Sequence, residues 1–198
     1  MTTQTMTTQK PTNPPLRVVL DANVLYPFTL RDTFLRIATE EYIKVYWSQE
    51  ILDEVSRNLI LKAVITQKQL DHLLNAMNRY FPRAMVKDYE QLVDTMPNDE
   101  KDRHVAAVAV RASADVIITN NLKDFKTLPD GVDAQSPDDF LVKLFHKYPT
   151  EIIKILQEQA AEMKRPPITF NELLARLTKV APLFVQAVYA LNTPCIDC

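Results

Sequence analysis

Glycine is almost missing from this chain: Gly131 is the one glycine among 198 residues. A dinucleotide fingerprint, a phosphate-binding P-loop and a glycine-rich lid each need several glycines, so none of them can be written here. Cysteine is nearly absent too. Its two copies, Cys195 and Cys198, stand in the last four residues. A disulfide there would close a trivial loop, and a CxxC pair supplies only two of the four ligands of a tetrahedral zinc site, so both read as incidental. The three histidines are scattered and form no HExxH pair. No apolar run approaches the roughly 20 residues of a membrane span. No basic region followed by an apolar stretch opens the chain, so it is expected to stay in the cytosol. An excess of positive charge is also lacking. A net charge of −2 does not make the broad cationic surface of a nonspecific nucleic-acid binder, so any nucleic-acid contact must be local or bridged by metal ions.

What is present divides into three parts. Residues 1–15, MTTQTMTTQKPTNPP, are rich in Thr, Gln and Pro and have no apolar face to bury, so they read as a disordered tail. Order is expected from Leu16, where LRVVL has the composition of a strand buried on both faces, ended by Asp21. Apolar spacing predicts a helix over about 29–41, a strand over 43–47, and a helix capped by Ser48 and running to about 63. A helix over 66–80, a weak strand near 84–87 and a short helical piece near 88–95 follow. Asp99 is placed to cap the next helix, with Asp102 in its first turn, and Val105 to Ala112 is apolar on every side. VIIT at 116–119 is a further buried strand, a short segment stands at 132–134, and Ser136 caps a helix to about 148. Strands alternating with helices over 16–148 predict a three-layer α/β/α domain with a mostly parallel sheet. Residues 149–198 show only helical patterns, over about 150–163, 170–180 and 183–191. A capping box, Thr169-x-x-Glu172, opens the second. This tail carries as many acidic as basic groups and reads as a helical C-terminal extension.

The chemistry-bearing residues are acids. In parallel α/β sheets the C-terminal strand ends form the ligand crevice, and Asp21 ends the first strand. That residue alone leaves a site role and loop capping equally open. Asp102 opens a buried apolar helix, where the dipole favours an anion, and Asp99 and Glu100 crowd it. Glu54 is the acid nearest the apolar stripe of its helix, about 115° from its centre, although spacing alone favours a solvated flank. Asp124 follows the 116–119 strand, and a turn cap is its alternative. Asn23, Thr119 and Asn121 are neutral hydrogen-bonding groups at the same two strand ends, where turn chemistry explains each equally well. Clustered carboxylates cannot all ionise in a dry pocket without countercharge. Mg²⁺ or Mn²⁺ supplies it through oxygen ligands and activates water for phosphodiester hydrolysis. Lys101, Arg103, Lys123 and Lys126 flank these acids as candidate phosphate contacts, or as solvated surface charges.

Four segments, LDANVL at 20–25, Glu54 within its helix, DEKDRHVAA at 99–107 and ITNNLKDF at 118–125, together resemble the PIN domain, and most closely its bacterial VapC-type toxins. The resemblance spans about 16–145. It implies a ribonuclease dependent on Mg²⁺ or Mn²⁺, with Asp21, Glu54, Asp102 and Asp124 as catalytic acids and metal ligands. Asn23, Thr119 and Asn121 fall at supporting positions and Asp99 at an auxiliary one; of the flanking cations, Arg103 and Lys123 are the candidate substrate contacts. It further implies cleavage to a 5′-phosphate and a 3′-hydroxyl, and a small antitoxin partner. The 183–191 helix could serve antitoxin docking, homodimerisation or core packing, and core packing is the expectation. The alternative function is a catalytically inactive PIN-like module that binds RNA or protein, against which the presence of all four acids argues. A phosphatase would need a second Asp in a DxDx[TV]-like run, and Asp21-Ala22-Asn23-Val24 lacks it.

Overall fold

The computed structural model describes residues 14–164 and 166–192. Residues 1–13 of the expected tail and both cysteines lie outside the described residues. Four strands, β1 (Leu16–Leu20), β2 (Ile43–Tyr46), β3 (Val116–Ile118) and β4 (Asp133–Gln135), form one sheet in the order β2-β1-β3-β4. All three pairings are parallel, with Val18 opposite both Val45 and Val116. Val18, Val19, Leu20, Ile117 and Ile118 are fully buried, as strands covered on both faces must be.

Helices surround the sheet, as the α/β/α reading requires. They are α1 (Ala22–Leu25), α2 (Phe28–Thr39), α3 (Gln49–Leu61), α4 (Gln67–Tyr80), α5 (Glu90–Val93), α6 (Arg103–Arg111), α7 (Pro137–Lys147), α8 (Pro149–Glu162), α9 (Phe170–Leu177) and α10 (Pro182–Asn192). Their starts follow local chemistry. Ser48, Thr66, Ser136 and Thr169 each accept a hydrogen bond from the backbone N–H three residues on, and Thr66 and Thr169 form complete capping boxes.

Three local features differ from the sequence-based expectation. The weak strand near 84–87 is a single bridge: Trp47 N–H donates to Ala84 O and Val86 N–H to Trp47 O. The helix expected from Asp99 begins instead as a 3-10 turn, Glu100–Asp102, capped by the Asp99 side chain, and α6 starts only at Arg103. Finally, Asp21 is at once the end of β1 and the N-cap of the four-residue α1.

The C-terminal helices pack on the α/β unit through apolar faces. Ile152, Ile155 and Leu156 of α8 are buried, and α8 lies on α2. At that contact the buried Gln159 donates to Thr29 O (3.1 Å) and meets Thr33 Oγ1 at 2.9 Å. Helix α10 packs on α7 and α9, burying Phe184, Val185 and Val188. The Asp138 carboxylate of α7 accepts from Leu183 N and Phe184 N (3.0 and 2.8 Å), so one helix caps another across 45 residues. No helix among the described residues is long and apolar enough to cross a membrane.

Candidate active site

The C-terminal ends of β1 and β3 are adjacent, because Leu20 pairs with Ile118 and Asp21 N–H continues the ladder to Ile118 O (3.1 Å). Asp21 and Thr119 therefore meet across 98 residues of sequence. The Asp21 side chain is 3% exposed. Its Oδ1 accepts from Ala22 N (2.6 Å), and its Oδ2 accepts from Thr119 Oγ1 (2.6 Å) and from Asn23 Nδ2. Asn23 Nδ2 also reaches Thr119 Oγ1 (3.1 Å), and Asn23 Oδ1 accepts from Asn120 N (3.0 Å). Asn121 N–H closes the network onto Thr119 Oγ1 (3.0 Å). Asp21 thus caps α1 and lies at the C-terminal end of the sheet beside Thr119. Asn23 and Thr119 fix its orientation, whereas Asn121 contributes through its backbone.

The other acids arrive from separate elements. Asp102 occupies the junction between the 3-10 turn and α6, makes no capping hydrogen bond, and leaves its Oδ2 buried without a partner. Asp124 is 9% exposed, in the 3-10 turn Leu122–Phe125 after β3, and its Oδ2 lies 3.1 Å from Lys101 Nζ as an ion pair without hydrogen-bond geometry. Glu54 projects from α3, which packs on α1, and its Oε1 lies 3.4 Å from His104 Nε2. Asp99 is exposed, and its carboxylate is engaged in capping, accepting from Lys101 N (3.3 Å). Arg103 Nε donates to Asn98 O (3.3 Å), while Lys123 and Lys126 are exposed on the loop after β3.

Electrostatics links these groups. Burial raises the Asp21 carboxyl above its usual range, against the lowering effect of its hydrogen bonds. Burial also raises Glu54, with the nearby Asp21 charge adding to the rise and His104 opposing it. Asp102 is pushed up to about 6, first by desolvation and then by the charges of Asp21 and Asp124. Desolvation is the largest cause at each of the three, and the Asp21 charge reaches both Glu54 and Asp102. The donor set fits Mg²⁺ or Mn²⁺: its oxygens are hard, and the buried Asp102 oxygen has no partner from the protein. Among the described residues, no three Asp, Glu, His or Cys side chains are already drawn together as a metal-ligand group. Sequence reasoning missed His104. It lies 50 residues from Glu54, and no spacing rule pairs a helix flank with a histidine that far away.

Residues 17–123 match the family model of the PIN domain, over half of the chain. The chain belongs to the PIN domain family. Residues 137–190 match a second model, the VapC50 C-terminal domain, which begins at α7, and with both matches the chain is of the VapC type. Among curated proteins, the "Putative ribonuclease VapC50" of Mycobacterium tuberculosis (strain ATCC 25618 / H37Rv) is 37% identical over 104 residues. That alignment takes in 51% of this chain and 62% of the relative, so the chain spans less than two thirds of the relative's length.

Proposed function

We propose that this protein is a metal-dependent ribonuclease acting as the toxin of a type II toxin–antitoxin pair, with RNA as substrate and a small protein antitoxin as partner. The observation that carries the reading is geometric: Asp21 is buried at the end of β1 and oriented by Thr119 and Asn23, and the buried Asp102 Oδ2 has no protein partner, although the two acids come from distant stretches of chain. The family match and the name of the curated relative support the same reaction class.

Asp21, Glu54, Asp102 and Asp124 would hold Mg²⁺ or Mn²⁺, which when bound activates water and offsets charge on a phosphodiester. The chain's own groups have distinct tasks. Thr119 and Asn23 hold the Asp21 carboxylate in one orientation, so that no reorganisation is needed when substrate arrives. Lys101 steadies Asp124 and stands at the rim of the acids, where its ammonium can meet a backbone phosphate. Arg103 and Lys123 are proposed to contact neighbouring phosphates. In this reading residues 16–148 form the nuclease unit and 149–198 a C-terminal extension, whose helices α8, α9 and α10 pack on it.

The test is cleavage of single-stranded and structured RNA by the purified chain, with Mg²⁺ or Mn²⁺ and with EDTA. Wild type should cut only with metal, and Asp21→Asn should lose at least a hundredfold in rate while unfolding as cooperatively as wild type. Cleavage by Asp21→Asn at the wild-type rate would overturn the site.

A further inference from the structure

Helices α1 and α3 lie against each other beside the acids. On α1, Ala22, Val24 and Leu25 are buried, which leaves Asn23 and Tyr26, one turn apart, half-buried. On α3, Glu54, Asn58 and Lys62 recur every fourth residue and share one stripe, along which Asn58 Nδ2 donates to Glu54 O (3.0 Å). The two helices meet at both ends of this stretch. At one end the Asp21 charge reaches Glu54. At the other, the Lys62 ammonium sits over the Tyr26 ring, 4.9 Å from its centroid. Tyr26 is firmly placed: its N–H donates to Ala22 O (2.9 Å), the buried Arg31 donates to its carbonyl (3.3 Å), and its ring packs on the core. Lys62 is exposed, and among the described residues no carboxylate pairs with it. From Asp21 to Tyr26 the chain climbs five residues, roughly 8 Å, about the rise of two stacked nucleotides.

We propose that Tyr26 is a substrate-binding residue: its ring stacks on an unpaired base of the RNA about two nucleotides from the cleaved phosphate, while Lys62 leaves the ring for a neighbouring phosphate. The role rests on the ribonuclease reading above. An exposed ammonium is held only weakly by an aromatic face, and a stacked base gains more from the same face. The displaced cation is not left alone, because the strand that brings the base also brings a phosphate. The acids and a metal ion act on the phosphodiester and touch no base. The Tyr26 ring adds a surface that a base reaches only when it is free of a helix, so it selects unpaired stretches of RNA.

The experiment is steady-state cleavage, by the full chain with Mn²⁺, of the RNA that wild type cuts, with calorimetric Mn²⁺ binding and thermal unfolding of each variant. Tyr26→Leu keeps apolar bulk and loses the ring; it should raise KM about tenfold or more, with a smaller effect on kcat. Tyr26→Phe keeps the ring and should recover most of that loss. Lys62→Gln should also raise KM, and should lower the slope of log(kcat/KM) against log salt by about one. An unchanged KM in Tyr26→Leu, a loss confined to kcat, or an equal loss in a folded Tyr26→Phe would each overturn the proposal. So would Mn²⁺ affinity that falls in step with the rise in KM, which marks a merely structural role. An unaltered salt slope overturns the part given to Lys62. Should Tyr26→Leu fail to fold, wild type irradiated with RNA carrying 4-thiouridine decides. Crosslinks should map to Tyr26 by mass spectrometry, and crosslinks only elsewhere, or none, refute the contact. Failure of the ribonuclease reading is seen separately: wild type then cuts no RNA with Mn²⁺, and the role of Tyr26 falls with it.

Discussion

Asp102→Asn separates the charge of the acidic site from its shape. The Asp102 carboxyl is moved from an ordinary 3.8 to about 6 by desolvation and by its acidic neighbours. That displacement corresponds to ~3 kcal/mol of cost for ionising the group in the folded chain at neutral pH. Part of the carboxyl faces solvent, so screening leaves about 1 kcal/mol. Asparagine carries no charge and loses no hydrogen bond at Oδ2, which has none. The metal-free variant should therefore be the more stable protein at pH 7, by about 2–4 °C in melting temperature. A saturating cation reverses the order. Wild type gains roughly 2.7 kcal/mol at a hundredfold excess over Kd, while the variant gains little. Calorimetric unfolding in EDTA and in Mg²⁺ or Mn²⁺ measures both arms. A variant less stable than wild type in EDTA, or one that gains as much from the cation, would refute the reasoning.

The pH dependence has a definite sign. Asp21, Glu54 and Asp102 hold their protons more tightly folded than unfolded, so folding takes up protons and the stability of the metal-free chain falls as pH rises, for Asp102 between 3.8 and about 6; the gap between Asp102→Asn and wild type should close near pH 4 and open by pH 7 in paired melts. Thr119→Val removes the hydroxyl that donates to Asp21 while keeping its volume; RNA cleavage should fall at least tenfold, and an unchanged rate would show that Asp21 needs no such support. Asp138→Ala uncaps the start of α10 and should cost about 1 kcal/mol in denaturant unfolding. Phe184→Ala empties a fully buried position between α10 and α7 and should cost about 3–5 kcal/mol by the same assay, whereas a helix loosely attached to the rest would show almost none of that loss.

Local chemistry was enough to read most of the scaffold. The runs at 18–20 and 116–118 are apolar without alternation, as suits a strand covered on both faces, and both proved to lie in central strands. Ser48, Ser136 and Thr169 mark helix starts because their side chains satisfy backbone N–H groups a few residues away. The last helix, nearly all apolar in sequence, had to bury a face and does so on α7 and α9. These signals act within one turn or one strand, so they survive in a linear reading. Helix α1 did not, since four residues are too few to show a period.

The site depended on the fold. Asp21 could be named from its strand end, but its capping of α1 and its bond to Thr119, which the parallel pairing of β1 with β3 brings to it, are visible only in the fold. Glu54 lies on a helix flank where spacing favours solvent, and only the packing of α3 on α1 and the approach of α6 give it a neighbour in His104. Asp102 was expected in the first turn of its helix as a candidate site acid; a 3-10 turn capped by Asp99 instead leaves it at the N-cap of α6 without a capping hydrogen bond. Residue type and periodicity determined which segments form elements and which acids were available. Tertiary structure alone determined which acids share a field, because charge interaction depends on distance through space and not on separation along the chain.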